Sequence, residues 1–261
     1  MQKILFLDFD GVICDSSLET GRTGWFAGSE IWDDWKGMDV PFAHLKRFRI
    51  LRPLIETGYE AIALMKAIDE NYTDDFLIRN FNFIKNQIFT SCACNTETLV
   101  RLYGTVRDNW IKTDPRGWAG WHRFYPGMKN FLNFSAGIFD KVYILTTKEK
   151  RFVQFLLKEE KIDFNHDNIL GLETGKSKTE TAESIIKKSR KKKTAAVIDD
   201  RLETLFDFLQ KPSFSDTFLF FASWGYVLPD DIKKAGLEER VTVLSLKDLK
   251  PALAGITEDR S

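Results

Sequence analysis

The chain is poor in the residues that build thiol and imidazole metal sites. Among 261 residues there are three cysteines and three histidines. Cys14, Cys92 and Cys94 share no zinc-like spacing with His44, His122 or His166. An odd cysteine count argues against a disulfide framework, so a reducing cytoplasm is the expected compartment. Charge of one sign is also missing: Lys plus Arg and Asp plus Glu both number 38, for a formal net charge of zero. A chain without net basicity has no electrostatic footprint for nonspecific nucleic-acid binding, and no nucleic-acid partner is expected. The one basic run, Arg190 to Lys193, leads into an apolar segment and reads as a solvated helix end. Long apolar runs are absent. Only four apolar residues separate Lys3 from Asp8, too few for a signal segment, and no later stretch reaches the roughly 20 residues of a spanning helix, so no membrane partner is expected.

Two catalytic signatures are absent as well. There is no G-x-G-x-x-G and no G-x-S-x-G, which removes the main support for a dinucleotide oxidoreductase or a serine hydrolase. Gly171 to Ser177 (GLETGKS) superficially resembles a phosphate-cradling loop, but three residues separate its glycines where that loop requires four.

What is present is an alternation of buried-looking strands and amphipathic helices. Ile4 to Leu7, Val142 to Leu145, Ala195 to Ile198, Phe218 to Phe221 and Val241 to Leu244 are short apolar runs of the kind that fill a parallel sheet. Residues 149–161, 178–189 and 201–210 carry apolar side chains at three- and four-residue steps between them. That order predicts an α/β fold with a doubly wound parallel sheet. Residues 16–121 interrupt it. They hold Trp25, Trp32, Trp35, Trp110, Trp118 and Trp121, six of the seven tryptophans, which read as core packing. Ile50 to Ile68, Asp75 to Phe89 and Asn95 to Lys112 read as helices, and Thr113 to Gly120 (TDPRGWAG) as a return linker. Cys92 and Cys94 read as buried apolar filler. The expected organisation is therefore a core of residues 1–15 and 122–261 with a mainly helical domain, residues 16–121, inserted after the first strand.

In an open parallel sheet, ligands bind beyond the carboxyl ends of the strands. Asp8 and Asp10 follow the first strand, Thr146 and Thr147 the second, and Asp199 and Asp200 the third, with Lys176 and Lys178 supplying cations between. A strand that ends Leu-Asp-Phe-Asp-Gly places the side chains of Asp8 and Asp10 on roughly the same side. Two like charges so close are unfavourable unless a cation or a reaction uses them. Carboxylates, hydroxyls and a lysine on one rim suit metal-assisted phosphoryl transfer. Mg²⁺ takes oxygen ligands and keeps several waters, so a few carboxylates suffice to hold it. Asp8 is the candidate nucleophile, forming an aspartyl-phosphate that divides a difficult hydrolysis into two steps. Asp10 is placed to protonate the leaving alkoxide and then deprotonate water. Gly11 permits close backbone approach to a phosphate, Thr146 can bond a phosphoryl oxygen, and a lysine offsets negative charge. Asp199 or Asp200 could instead cap the helix that begins near Leu202. Arg49 and Arg52, in the basic stretch before the helix bearing Glu56 and Glu60, are candidates to reach substrate.

The same stretches carry a family resemblance. Asp8 to Val12 (DFDGV), Tyr143 to Lys148 (YILTTK), Lys178 to Glu180 (KTE) and Val197 to Arg201 (VIDDR) resemble, in chain order, the four motifs of the haloacid dehalogenase superfamily. Tyr125 to Gly127 (YPG) and Trp224 to Tyr226 (WGY) resemble features of its phosphoglycolate-phosphatase-like branch. The resemblance implies an Mg²⁺-dependent hydrolase of a small phosphorylated metabolite, with Asp8, the main-chain oxygen of Asp10 and an acid of the fourth motif as metal ligands. That acid is Asp200 in first rank, with Asp199 as the alternative; the third-motif lysine is Lys178, with Lys176 as the alternative. Position 204 is Thr where the family often has another acid. The insert sits where many members carry a cap that closes over the site. A sugar phosphomutase or phosphonatase of the same fold, or a noncatalytic binding domain, stays open. Either a monomer or a homodimer is expected.

Overall fold

The computed structural model describes residues 2–188 and 193–258, so Arg190 to Lys192 of the basic run lie outside the described residues. The chain forms two compact units, one reaching from the N-terminus to Asp15 and from Phe124 onward, the other Ser16–Arg123. The first unit begins with β1 (Gln2–Leu7) and the short β2 (Cys14–Asp15).

The second unit is helical: α1 (Ser17–Ser29), α2 (Phe42–Leu51), α3 (Glu60–Asp69), α4 (Asp74–Ser91), α5 (Thr96–Thr113) and α6 (Pro115–Ala119). The expected single helix over Ile50 to Ile68 is two helices. Pro53 lacks the N–H that helix continuation needs, and the Glu60 carboxylate accepts from the backbone N–H of Glu56 at 2.7 Å and of Thr57 at 2.9 Å, which fixes the connection in a non-helical path. The expected linker Thr113 to Gly120 also contains a helical turn, because Asp114 accepts from Gly117 N at 2.9 Å and Pro115 occupies the first turn. Trp25 and Trp35 stack with ring centroids 4.0 Å apart, in a core that includes Phe48, Ile62 and Leu99. Buried Glu19 accepts from Thr23 at 2.9 Å, Arg107 at 2.8 Å and Trp118 at 3.0 Å, so the carboxylate is compensated where burial would otherwise be costly. Cys92 and Cys94 are half-buried at the end of α4, not buried filler.

The short β3 (Arg123–Phe124) marks the boundary, and the first unit continues with α7 (Met128–Ile138), β4 (Lys141–Leu145), α8 (Lys150–Glu159), β5 (Ile169–Leu170), α9 (Lys178–Lys188), β6 (Lys193–Asp199), α10 (Leu202–Leu209), β7 (Phe218–Ala222), α11 (Pro229–Leu237), β8 (Val241–Leu244) and α12 (Leu249–Glu258). Six strands form a sheet in the order β5-β4-β1-β6-β7-β8, and every paired neighbour is parallel. Each strand is an apolar run because helices cover the faces. Phe6, Val197, Leu205, Phe208 and Phe221 form one buried cluster, each side chain contributing about 1.5–3 kcal/mol by leaving water. Register decides the site: Leu7 is level with Ile144 of β4 and Ile198 of β6, so the residues after these positions emerge together on one rim. No helix among the described residues is long and apolar enough to cross a membrane.

Candidate active site

Asp8 extends the ladder by one residue, donating its backbone N–H to Ile198 O at 3.0 Å. β1 itself ends at Leu7, so strand alternation does not reach Asp10. That residue lies in a turn closed by Gly11 N on Cys14 O and by Ile13 N and Cys14 N on Phe9 O. The two aspartates accordingly take different partners. Asp8 Oδ2 lies 2.8 Å from Lys178 Nζ, whereas Asp10 Oδ1 lies 3.2 Å from Lys148 Nζ.

Lys178 is the first residue of α9, and its placement follows from local sequence. Ser177 N and Oγ both donate to Glu180 Oε2 at 3.0 Å, and Glu180 N lies 3.1 Å from Ser177 Oγ, a reciprocal cap that starts the helix here. Lys178 Nζ also lies 2.7 Å from Asp199 Oδ2. Of the two candidate lysines, Lys178 therefore meets the carboxylates, while Lys176 is exposed on the preceding loop.

Carboxylate oxygens of Asp8, Asp199 and Asp200 lie within 4.8 Å of one another, and all three residues are buried. Asp199 is fully engaged, with Oδ1 accepting from Arg201 N at 2.9 Å and Oδ2 facing Lys178. Asp200 differs: Oδ2 accepts from Tyr226 N at 2.6 Å, and Oδ1 is buried with no hydrogen-bond partner. Neither aspartate is the cap of α10, a position held by Arg201. Gly11, at φ +90°, lies against Asp200; a Cβ there would sit 1.9 Å from Asp200 Oδ2. Gly225 closes the other side, where a Cβ would meet Asp200 Cβ and Gly11 O at 2.4 Å. Trp224 Nε1 donates to Val12 O at 3.1 Å and ties this loop to the turn after β1.

The electrostatics follow from burial. Desolvation raises the Asp8 pKa to about 7, with Lys178 opposing and Asp199 reinforcing the shift. Desolvation and then the charges of Asp8 and Asp199 push Asp200 well above the usual carboxylate range, against the Tyr226 N–H. Burial works against the Lys178 ammonium, but Asp199 and Asp8 outweigh it and its pKa is raised. Three clustered acids thus share one fixed cation.

Thr146 is buried, with Oγ1 accepting from Lys148 N at 3.0 Å, and Thr147 is exposed beside it. Arg49 and Arg52 belong to the helical unit, the first exposed on α2 and the second donating to Ile55 O at 2.8 Å. The sequence does not single out Lys148, Tyr226 or Gly225 for the site. Their motifs are visible in it, but a partner such as Asp200, in another segment of the chain, is known only from the fold.

No family model and no curated protein matches the chain. Solved structures do. A predicted phosphatase from Clostridium acetobutylicum is 17% identical at a TM-score of 0.59, over 98% of this chain and 99% of that one. A haloacid dehalogenase-like hydrolase from Streptococcus pneumoniae is 15% identical at 0.56, over 97% and 98%. A HAD family hydrolase from Deinococcus radiodurans, with bound phosphate and sodium, is 14% identical at 0.51, over 99% and 98%. The fold is therefore that of haloacid dehalogenase-like proteins.

Proposed function

We propose that the chain is an Mg²⁺-dependent phosphatase that hydrolyses a small organic phosphate monoester through an aspartyl-phosphate on Asp8. The observation that carries this reading is the buried triad of Asp8, Asp199 and Asp200 around Lys178, at the rim where ligands of parallel sheets bind. Likeness to proteins described as phosphatases and hydrolases, one of them holding phosphate, supports it.

The donor set fits a hard divalent cation. Asp200 Oδ1 is a buried carboxylate oxygen without a partner, next to further carboxylate oxygens and no thiol or imidazole in the cluster. Asp8 and Asp200 would hold Mg²⁺ with the main-chain oxygen of Asp10, while Asp199 stays committed to Lys178 and Arg201 N. When bound, the ion would offset the charge of the crowded carboxylates and of the phosphoryl oxygens.

The chain's own residues supply the rest. An Asp8 carboxylate oxygen attacks phosphorus as the ester oxygen departs, taking a proton from Asp10. Asp10, now a carboxylate, accepts a proton from the water that attacks phosphorus and releases Asp8. Lys178 orients Asp8 and opposes the rise of its pKa, and Thr146 would bond a phosphoryl oxygen.

Phosphate release from a panel of phosphorylated metabolites, with and without Mg²⁺, tests the proposal. Metal-dependent release that disappears in Asp8→Asn, with an unchanged circular dichroism spectrum, is expected. Undiminished release by Asp8→Asn would remove Asp8 as nucleophile.

A further inference from the structure

Cys92 and Cys94 stand one residue apart where α4 ends, and the way the helix ends folds them together. Cys94 N donates to Phe89 O and Ala93 N to Thr90 O, both at 3.1 Å, the paired bonds of a Schellman cap. The residue at the turn of such a cap takes the left-handed conformation and is usually glycine; here it is Ala93, at φ +52°. The chain reverses at that point, so the side chain of Cys94 comes back over Cys92 and its Sγ donates to Cys92 O at 3.2 Å. Cys92 Sγ donates to Phe89 O at 3.4 Å, the same carbonyl that Cys94 N reaches.

Both residues are half-buried free thiols, and Ser91, Ala93 and Asn95 around them are exposed, so the pair lies at the surface. Cys14, the third cysteine, is fully buried. Burial, then the hydrogen bond and charge of the Cys92 sulfur beside it, push the Cys94 thiol up to about 11. Two groups so close give up their protons one after the other. The Cys94 proton is the one held, which leaves Cys92 as the attacking group, since only a thiolate is a nucleophile.

We propose that Cys92 and Cys94 are a reversible redox site, closed to a disulfide by exchange with a small-molecule disulfide such as oxidised glutathione. The Cys92 thiolate attacks one sulfur of the small disulfide and expels one thiolate, leaving a mixed disulfide. With Cys92 capped, its charge no longer holds the Cys94 proton, which passes to solvent. The Cys94 thiolate then attacks the Cys92 sulfur and expels the second small thiolate. Two protein thiols are oxidised, and one small disulfide is reduced to two thiols. A ring closed across a single intervening residue is short and strained, so it is readily reduced again, and the thiols are the resting form in a reducing compartment. The site belongs to the helical unit and does not depend on the phosphatase reading.

The test is incubation of the reduced full chain at pH 8 with oxidised glutathione in excess over reduced, followed by alkylation and peptide mass analysis. The peptide carrying both residues is expected to escape alkylation, to weigh about 2 Da less than its thiol form, and to revert with dithiothreitol. Cys94→Ser is expected to stop at a stable glutathione adduct on Cys92. Repeating the incubation of the wild-type chain in urea reads the contribution of the fold, because the spacing persists there while the cap does not. The ratio of disulfide to thiol should be about tenfold higher in the native chain. Continued alkylation of both cysteines, an adduct on the wild-type chain that does not close, pairing with Cys14 or between chains, or an equal ratio in urea would each overturn the site.

Discussion

Lys178 Nζ stands between Asp8 Oδ2 at 2.8 Å and Asp199 Oδ2 at 2.7 Å, so one ammonium compensates two of three clustered carboxylates. Asp200 receives a backbone N–H but no ion pair among the described residues. With all three acids ionised the cluster is therefore two positive charges short, and no cation faces the residue whose Oδ1 is buried and unbonded. Both the response of the protein to pH and its response to losing an acid should reflect this imbalance.

The metal-free protein should lose stability as pH rises. Asp8 titrates at about 7 when folded against an ordinary value of 3.8, so the folded state binds a proton more tightly than the unfolded chain. Stability from that proton is complete below about pH 4 and is lost as pH climbs through 7, by up to about 4 kcal/mol. A melting midpoint in EDTA should fall between pH 5 and pH 8. Mg²⁺ competes with the proton, so its affinity should be about tenfold or more higher at pH 8 than at pH 6. A midpoint that rises with pH in EDTA would contradict the charge assignment.

Asp200→Asn should separate stability from function. The substitution keeps the shape and removes a buried, uncompensated charge, so the metal-free protein should gain about 1–3 kcal/mol at pH 8 in urea unfolding. Mg²⁺ affinity should fall by about 100-fold, as loss of an anionic ligand implies. If the variant is destabilised in EDTA and binds Mg²⁺ as before, Asp200 is a structural residue only.

The parts of this site that can be read in the sequence are those written in a local pattern. Apolar runs such as Val142 to Leu145 mark the strands, and the residue types at their ends point to Asp8, Thr146 and Asp200. Strand pairing stops at the end of β1 and a turn carries Asp10, yet its charge still raises the Asp8 pKa. The closeness of the two acids that the D-x-D spacing suggests is thus kept by the turn. Propensity misleads at Ile50 to Ile68, where the Glu60 carboxylate holds a break that the apolar pattern runs across. The two-residue β5 carries too little pattern to be seen. Gly225 and Tyr226 stand out in the sequence as a motif without a role, because what they touch is Asp200, which only the fold brings beside them.

Gly11→Ala should damage the site through space and backbone together. Its φ of +90° is unfavourable for a residue with a Cβ, and that Cβ would lie 1.9 Å from Asp200 Oδ2. A loss of about 2–3 kcal/mol in urea unfolding is expected, with Mg²⁺ binding reduced by more than tenfold. Gly127, also at positive φ but with nothing within 4 Å of where a Cβ would sit, is the control: Gly127→Ala should cost stability without changing Mg²⁺ affinity. Equal effects of the two variants on metal binding would show that the clash at Asp200 is not what matters.

Lys148 is buried and its Nζ lies 3.2 Å from Asp10 Oδ1, while its backbone N–H donates to Thr146 Oγ1 at 3.0 Å. One residue thus fixes both the proposed proton-transfer group and the hydroxyl beside the phosphoryl position. The side-chain contact can be removed without the backbone one. Lys148→Met should lower kcat by about 10–100-fold with little change in KM, since it frees Asp10 to leave its place in the transition state. If the lysine acts through Asp10, it has little left to do once that carboxylate is gone, and adding Lys148→Met to Asp10→Asn should cost much less than in the wild-type background. Full additivity of the two losses would mean that Lys148 acts on the reaction by another route, for instance by contacting the phosphoryl group itself.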